Sequence, residues 1–129
     1  MHTTRIAKKN AGQIRDIAAH VFSRFNKETF ITPRNIDSIE LSRSDLALLA
    51  KLKMPYIQAI YTDRYPHFIE TDSVVLFTRS GFPLFGTEHD IIIDMRKKER
   101  DSITAASHYN KFYKLANRIY YIQVPVPAF

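Results

Sequence analysis

Acidic residues flank two apolar segments in the second half of the chain. Asp72 shortly precedes the apolar run 74–77, and Asp90 and Asp94 enclose the isoleucine run 91–93. Side chains alternate between the two faces of a strand, so Asp90 and Asp94 are expected to share a face. Carboxylates converging from adjacent strands suit a hard cation, magnesium or manganese. The sequence therefore indicates a candidate metal site of Asp72, Asp90 and Asp94, with ordinary solvated carboxylates at strand ends as the alternative.

Basic residues follow this acidic pattern directly. Arg96 lies two positions after Asp94 and is expected on the same strand face, and Lys97 and Lys98 come next. A cation beside a bound metal can stabilise charge on an attacked phosphate, which is the minimum machinery for metal-assisted phosphodiester cleavage. The candidate catalytic residues are therefore Asp72, Asp94, Arg96 and Lys97.

Hydrophobic periodicity predicts the elements that would position these residues. The pattern is typical of an α+β domain with N-terminal helices, a small mixed sheet containing a β-hairpin, a long C-terminal helix and a closing strand. With 129 residues and no linker-like segment, the chain is predicted to be a single domain over residues 1–129. The predicted helices are 11–26, 43–53 and 102–117; the predicted strands are 56–61, 73–78, 89–95 and 119–124; residues 33–40 fit either a short helix or a strand.

Charge and composition restrict the partners. The formal net charge of +6 and pI near 9.7 favour polyanions, and nucleic acid is the one expected, although such charge also serves solubility alone. No apolar stretch is long enough for a secretory signal or a membrane span, so no membrane partner is expected. With no cysteine, thiolate zinc sites are excluded and a reducing cytoplasmic location is expected. No P-loop or dinucleotide motif is present.

Segments 71–81, 91–97 and 116–125, with the predicted helix bearing His108 between the last two, resemble the PD-(D/E)xK nuclease superfamily, and small phage-type nucleases in particular. The resemblance covers residues 70–125. It implies that Asp72 is the first metal-binding carboxylate and that Asp94 is the acidic member of the acidic-x-lysine triplet, or that Asp90 takes this place.

The lysine position of that triplet falls on Arg96, which departs from the family pattern. Arginine stays protonated and is a poor base, so either Lys97 or Lys98 substitutes or the site is inactive. The resemblance implies an activity on nucleic acid, with phosphates contacted by Lys98, His108, Lys111 and Arg79.

Two other functions fit the same sequence. Helices 11–26, 33–40 and 43–53 followed by a hairpin are similar to a winged-helix DNA-binding module, with 43–53 in the groove and Arg79 at the wing tip. A protein-interaction domain is the third hypothesis. The tyrosines near the C-terminal basic residues fit single-strand stacking, but we expect most of them in the core: Tyr109, Tyr113, Tyr120 and Tyr121.

Overall fold

The computed structural model describes residues 2–24, 29–60, 74–79, 86–95 and 111–126. Within these ranges lie three α-helices, a short 3₁₀ turn and six strands. The helices are α1 (His2–Lys9), α2 (Ala11–Arg24) and α3 (Arg43–Leu52), and the 3₁₀ turn is Ile36–Ile39. The strands are β1 (Thr29–Ile31), β2 (Tyr56–Ile60), β3 (Val74–Arg79), β4 (Gly86–Asp94), β5 (Lys111–Ala116) and β6 (Ile119–Val126).

The six strands form one sheet in the order β1-β2-β3-β4-β6-β5. Every neighbouring pair is antiparallel, so the α+β class is confirmed while the predicted mixed sheet is wrong. The register of β3 against β4 runs from Val74 opposite Asp94 to Arg79 opposite His89. The end of β4 that carries Asp94 is therefore beside the start of β3.

The three helices cover one face of this sheet. Alternate residues of the central strands point into a single core with the buried side of α2. The opposite face also carries buried side chains, among them Ile92 and Tyr120. The helix-covered core includes Ile14, Ile17 and Val21 of α2, and Ile57, Phe77, Ile91, Ile93 and Tyr121 of the sheet.

Helix α2 confirms the amphipathic helix predicted for residues 11–26, although Asn10 and Gln13, which have the sequence spacing of a capping box, do not form one. The Asn10 amide donates to the Ile6 carbonyl at 2.9 Å, and the Gln13 side chain donates to Asp45 at 2.8 Å. The reason is that α1, which the sequence pattern does not predict, precedes Asn10 directly. The Asn10 side chain thus hydrogen-bonds a carbonyl in the last turns of α1, while the Gln13 side chain links α2 to α3.

Helix α3 begins as predicted. The Ser42 hydroxyl accepts a hydrogen bond from the Asp45 backbone amide at 3.1 Å, and the helix ends before Lys53, whose φ of 57° is left-handed. The preceding segment forms the 3₁₀ turn. Of the two predictions for residues 33–40, a short helix or a strand, the strand is therefore wrong.

We expect Ser42→Ala to lower the free energy of unfolding by about 1 kcal/mol, because the amide of the first helical turn loses its side-chain acceptor. Urea denaturation measures this loss. Ser23→Ala is the matched control, since Ser23 is an exposed serine within α2 whose hydroxyl bonds back to its own helix. Equal stability of Ser42→Ala and wild type would show that the cap contributes nothing.

The predicted C-terminal helix over residues 102–117 is wrong in its second half. Residues Lys111–Ala116 form β5, which pairs with β6 through a turn at Asn117 and Arg118. Arg118 adopts φ 66°, the left-handed conformation that reverses the chain between the two strands. Cross-strand pairing therefore overrides the helical spacing of Phe112, Tyr113 and Ala116, and residues 102–110 lie outside the described ranges.

Strand predictions are confirmed in position with shifted ends. Strand β6 continues through Pro125, which lies opposite Thr87, and β4 begins at Gly86, three residues before the predicted strand 89–95. Among the helices described, none is long and apolar enough to cross a membrane.

Candidate functional site

Asp94 is the member of the predicted catalytic set that the structure describes. It is the last residue of β4, with 1% of its surface exposed, and it lies opposite Val74. Asp72 precedes Val74 by two positions in the sequence. Lys111 is the first residue of β5. The other predicted site residues, with Asp72, lie outside the described ranges: Arg96, Lys97, Lys98 and His108.

Asp90 shares a strand face with Asp94, as predicted, and it is fully buried opposite Thr78 and Ile122. Four residue steps at about 3.3 Å separate the two aspartates by roughly 13 Å along β4. Magnesium binds oxygen at about 2.1 Å, so one ion does not contact both carboxylates. The described residues contain no group of three or more acidic or histidine side chains suited to a metal ion. A metal centre at Asp94 would take its other ligands from outside the described ranges, where Asp72 is the ligand predicted from the sequence.

A cavity of about 370 Å³ lies between α2 and the end of β4, and we call it the β4-end cavity. One Arg15 guanidinium nitrogen donates to the Asn117 carbonyl at 3.0 Å, and one from Arg118 donates to the Asp94 carbonyl at 3.2 Å. Both guanidinium groups are thus held at the cavity by a hydrogen bond to a backbone carbonyl. Its wall consists of Arg15, Asp16, Ala19, Ile93, Asp94, Met95 and Arg118.

The wall of the β4-end cavity carries two guanidinium groups and two acidic residues, Asp16 and Asp94. Strand alternation places Ile93 on the helix-covered face and the Asp94 side chain on the opposite face. Guanidinium groups carry several N–H donors in a fixed plane and match phosphate geometry. Sequence reasoning missed Arg15 and Arg118 as a pair, because they are brought together only by the packing of α2 on the β5–β6 turn. The one available signal is that Arg15 lies off the apolar stripe of α2.

Arg79 is partly buried at the end of β3 rather than projecting from a wing tip. Its guanidinium donates to the Leu52 carbonyl at 3.2 Å, which holds the C-terminal end of α3 against the sheet. It also lies opposite His89 on β4. Arg79 therefore has a structural contact that the sequence does not reveal.

His89 belongs to a hydrogen-bonded group on the helix-covered face. Its Nδ1 atom lies 2.6 Å from the Tyr121 hydroxyl, and the Gln123 amide donates to that hydroxyl at 3.0 Å. Burial, followed by the positive charge of Arg79, lowers the pKa of His89. Burial raises the pKa of Tyr121, although the Gln123 hydrogen bond and Arg79 oppose this. Both side chains are therefore neutral near pH 7.

The depressed pKa of His89 predicts a loss of stability in mild acid. The unfolded chain takes up a proton near pH 6.5, whereas the folded chain resists it, so the free energy of unfolding falls as pH drops below about 6.5. We expect His89→Gln to remove this part of the decline between about pH 7.5 and pH 5.5 in urea denaturation. His20→Gln is the control, and the same pH dependence in His89→Gln and wild type would contradict the assignment.

The aromatic residues near the C-terminus mostly belong to the interior, as predicted. Tyr120 and Tyr121 are buried on opposite faces of the sheet. Tyr113 is 44% exposed and stacks on Tyr121 with ring centroids 6.2 Å apart. Tyr109 lies outside the described ranges. Tyr113 therefore presents one aromatic surface to solvent beside the His89 group.

Comparison with protein-family models, characterised proteins and solved structures gives no significant match.

Proposed function

We propose that the protein acts on nucleic acid as a metal-dependent nuclease of the PD-(D/E)xK type, or as a catalytically inactive relative. The observation that carries the proposal is the register of β3 against β4. Val74 lies opposite Asp94, so the chain that enters β3, two positions after Asp72, does so beside the Asp94 end of β4. The cytoplasm is the proposed location, since nucleic acid is the proposed substrate.

The β4-end cavity supports this proposal with two phosphate-binding groups. Arg15 and Arg118 contribute guanidinium groups from α2 and from the β5–β6 turn to a wall that also carries the acidic residues Asp16 and Asp94. Phosphate contacts of this kind dominate affinity for nucleic acid. The proposed role of both arginines is to bind the phosphates on either side of the bond to be cut.

Asp94 and Asp72 would hold the proposed magnesium or manganese ion, and Arg96, Lys97 and Lys98 follow Asp94 in the sequence. The ion would polarise a phosphate oxygen and lower the pKa of a bound water. Arg96 would stabilise phosphate charge, while proton removal would fall to Lys97 or Lys98.

Binding and cleavage of defined nucleic acids test the proposal. Labelled duplex DNA, single-stranded DNA and RNA are titrated with the protein by fluorescence anisotropy, at about 50 mM and about 200 mM salt. Two to three phosphate contacts predict about a tenfold or larger loss of affinity at the higher salt. Cleavage is followed with magnesium, manganese and a chelator. Failure to bind any of the three at low salt would overturn both the active and the inactive form of the proposal.

A second candidate function, winged-helix DNA binding, is favoured by the exposed basic residues of α3. Arg43, Lys51 and Lys53 are all exposed, and α3 follows the 3₁₀ turn and precedes β2. This order is similar to the winged-helix order, in which such a helix enters the major groove.

Two double variants of equal charge distinguish the candidates. Arg15→Gln with Arg118→Gln removes two positive charges from the β4-end cavity, while Arg43→Gln with Lys51→Gln removes two from α3. The nuclease proposal predicts that the first variant loses about tenfold or more in affinity and the second far less, because a phosphate contact depends on position as well as on total charge. The reverse order would favour groove recognition by α3.

A further inference from the structure

A row of polar residues crosses three strands on the helix-covered face of the sheet. Register places Arg79 opposite His89, and His89 opposite Gln123. Residues directly opposite on antiparallel strands have Cα atoms about 4.5–5.5 Å apart and share a face. The neighbouring row on the same face, two residues along each strand, is buried and consists of Phe77, Ile91 and Tyr121. We call the polar set the Arg79 row: Arg79, His89 and Gln123.

Hydrogen bonds link the side chains of Gln123, Tyr121 and His89. The Gln123 amide donates to the Tyr121 oxygen, and the Tyr121 hydroxyl has a single proton of its own. In the tautomer in which this proton is donated to Nδ1 of His89, 2.6 Å away, a neutral His89 carries its own proton on Nε2. The lowered pKa of His89 agrees with the neutral form. In this tautomer His89 presents an N–H donor at Nε2, on the ring side opposite Tyr121.

Arg79 adds further donors to the same place. Its guanidinium carries five N–H groups, and one nitrogen is engaged with the Leu52 carbonyl. A guanidinium fork next to an imidazole N–H is a donor set for an oxyanion, and positive charge favours the doubly charged form of a phosphate group. The partly exposed ring of Tyr113, stacked on Tyr121, offers an aromatic surface beside it.

We propose that the Arg79 row is a binding site for a phosphate dianion, held by the Arg79 guanidinium and the Nε2–H of His89. The dianion is either inorganic phosphate or the monoester group of a nucleotide, whose base would stack on Tyr113. This site is separate from the β4-end cavity, and it does not depend on the proposed nuclease activity. It requires neither a metal ion nor cleavage.

Nuclear magnetic resonance of the histidine ring protons tests the site on the full chain. His89→Gln assigns the His89 resonance, and inorganic phosphate, adenosine monophosphate and acetate are then titrated separately without metal. Phosphate is expected to shift the His89 signal to saturation and to raise the pKa of His89, because a bound dianion stabilises the imidazolium form. An absent or non-saturating shift at His89 in the wild type would overturn the proposal, and an equal response to acetate would overturn the assignment to phosphate.

Arginine variants locate the binding. Arg79→Gln is expected to weaken phosphate binding by about tenfold or more, and Arg79→Lys by less, because lysine keeps the charge but lacks the fork. Arg34→Gln, which removes an exposed arginine outside the row, is expected to leave binding unchanged. If Arg79→Gln fails to fold, Arg79→Lys and the wild-type titration remain decisive. Unchanged affinity in a folded Arg79 variant would contradict the site.

Comparing the affinities of adenosine monophosphate and inorganic phosphate shows whether the ligand is a nucleotide or free phosphate. Tighter binding of adenosine monophosphate than of inorganic phosphate, reduced to the inorganic value by Tyr113→Leu, identifies a nucleotide as the ligand. Equal binding of the two identifies free phosphate. Loss of the nuclease proposal leaves these results unaffected, because neither ligand contains a phosphodiester bond.

Discussion

Phe77→Ala is expected to lower the free energy of unfolding by about 3–5 kcal/mol, the range for truncating a buried phenylalanine. Phe77 is fully buried in β3, and its strand neighbours Ile57 and Ile91 belong to the same core cluster. The loss combines transfer of the ring to water with the cavity that remains between α2 and the sheet. Because a domain of this size is stable by only about 5–15 kcal/mol, the variant should unfold at much lower urea concentration.

Phe30→Ala is the matched control for this substitution. Phe30 lies on the edge strand β1 with 52% of its surface exposed, and its ring stacks on Tyr56 at 5.7 Å. Removal of this ring should cost about 1 kcal/mol or less, since little apolar area is returned to water and the pair is half solvated. Similar losses in the two variants would contradict the placement of the core on the helix-covered face.

Asp94→Asn is expected to reduce metal-dependent cleavage by about 100-fold or more. In the proposed function Asp94 holds the ion, which contributes several kcal/mol of charge stabilisation to phosphodiester cleavage. Each 1.4 kcal/mol corresponds to about a tenfold change in rate. The asparagine side chain has nearly the same size, so the substitution removes charge and leaves the volume of this buried position unchanged. Initial cleavage rates at saturating magnesium or manganese measure the effect.

Asp37→Asn is the control for loss of one negative charge. Asp37 is exposed on the 3₁₀ turn and lies outside the β4-end cavity. We expect its cleavage rate to equal that of the wild type. Circular dichroism and urea denaturation of Asp94→Asn establish that the variant is folded. A folded Asp94→Asn protein with wild-type cleavage would exclude Asp94 from catalysis.

Local signals in the sequence explain why much of the fold is predictable. Helix α2 follows from the spacing of Ile14, Ile17 and Val21 on one face, which are all buried. Helix α3 follows from the Ser42 cap, and the central strands follow from continuous apolar runs. These elements are specified by residues a few positions apart, and tertiary packing agrees with the local preference.

The errors arise where distant partners decide the structure. Phe112, Tyr113 and Ala116 fit a helical period, yet their segment lies against β6 and becomes an edge strand. The left-handed conformation of Arg118, which makes this hairpin, has no glycine or Asn-Gly signal in the sequence. Strand β1 has only three residues, too few for a periodic pattern.

The candidate site is less predictable than the fold for the same reason. The alternation of Asp90 and Asp94 on one face is correct, but burial of both residues is not evident from their charge. The approach of Arg15 to Arg118, and of His89 to Tyr121, requires the sheet order and register. No local sequence motif indicates either of these two contacts.

The hydrogen bond from Arg15 to the Asn117 carbonyl joins residues 102 positions apart, and α1 also contacts β5. During synthesis, α1 and α2 leave the ribosome well before the strands against which they finally pack. Contacts of such large sequence separation require closure of a long loop before they stabilise the chain, which slows folding. The N-terminal helices are thus expected to acquire full protection from hydrogen exchange only after β5 and β6 have joined the sheet.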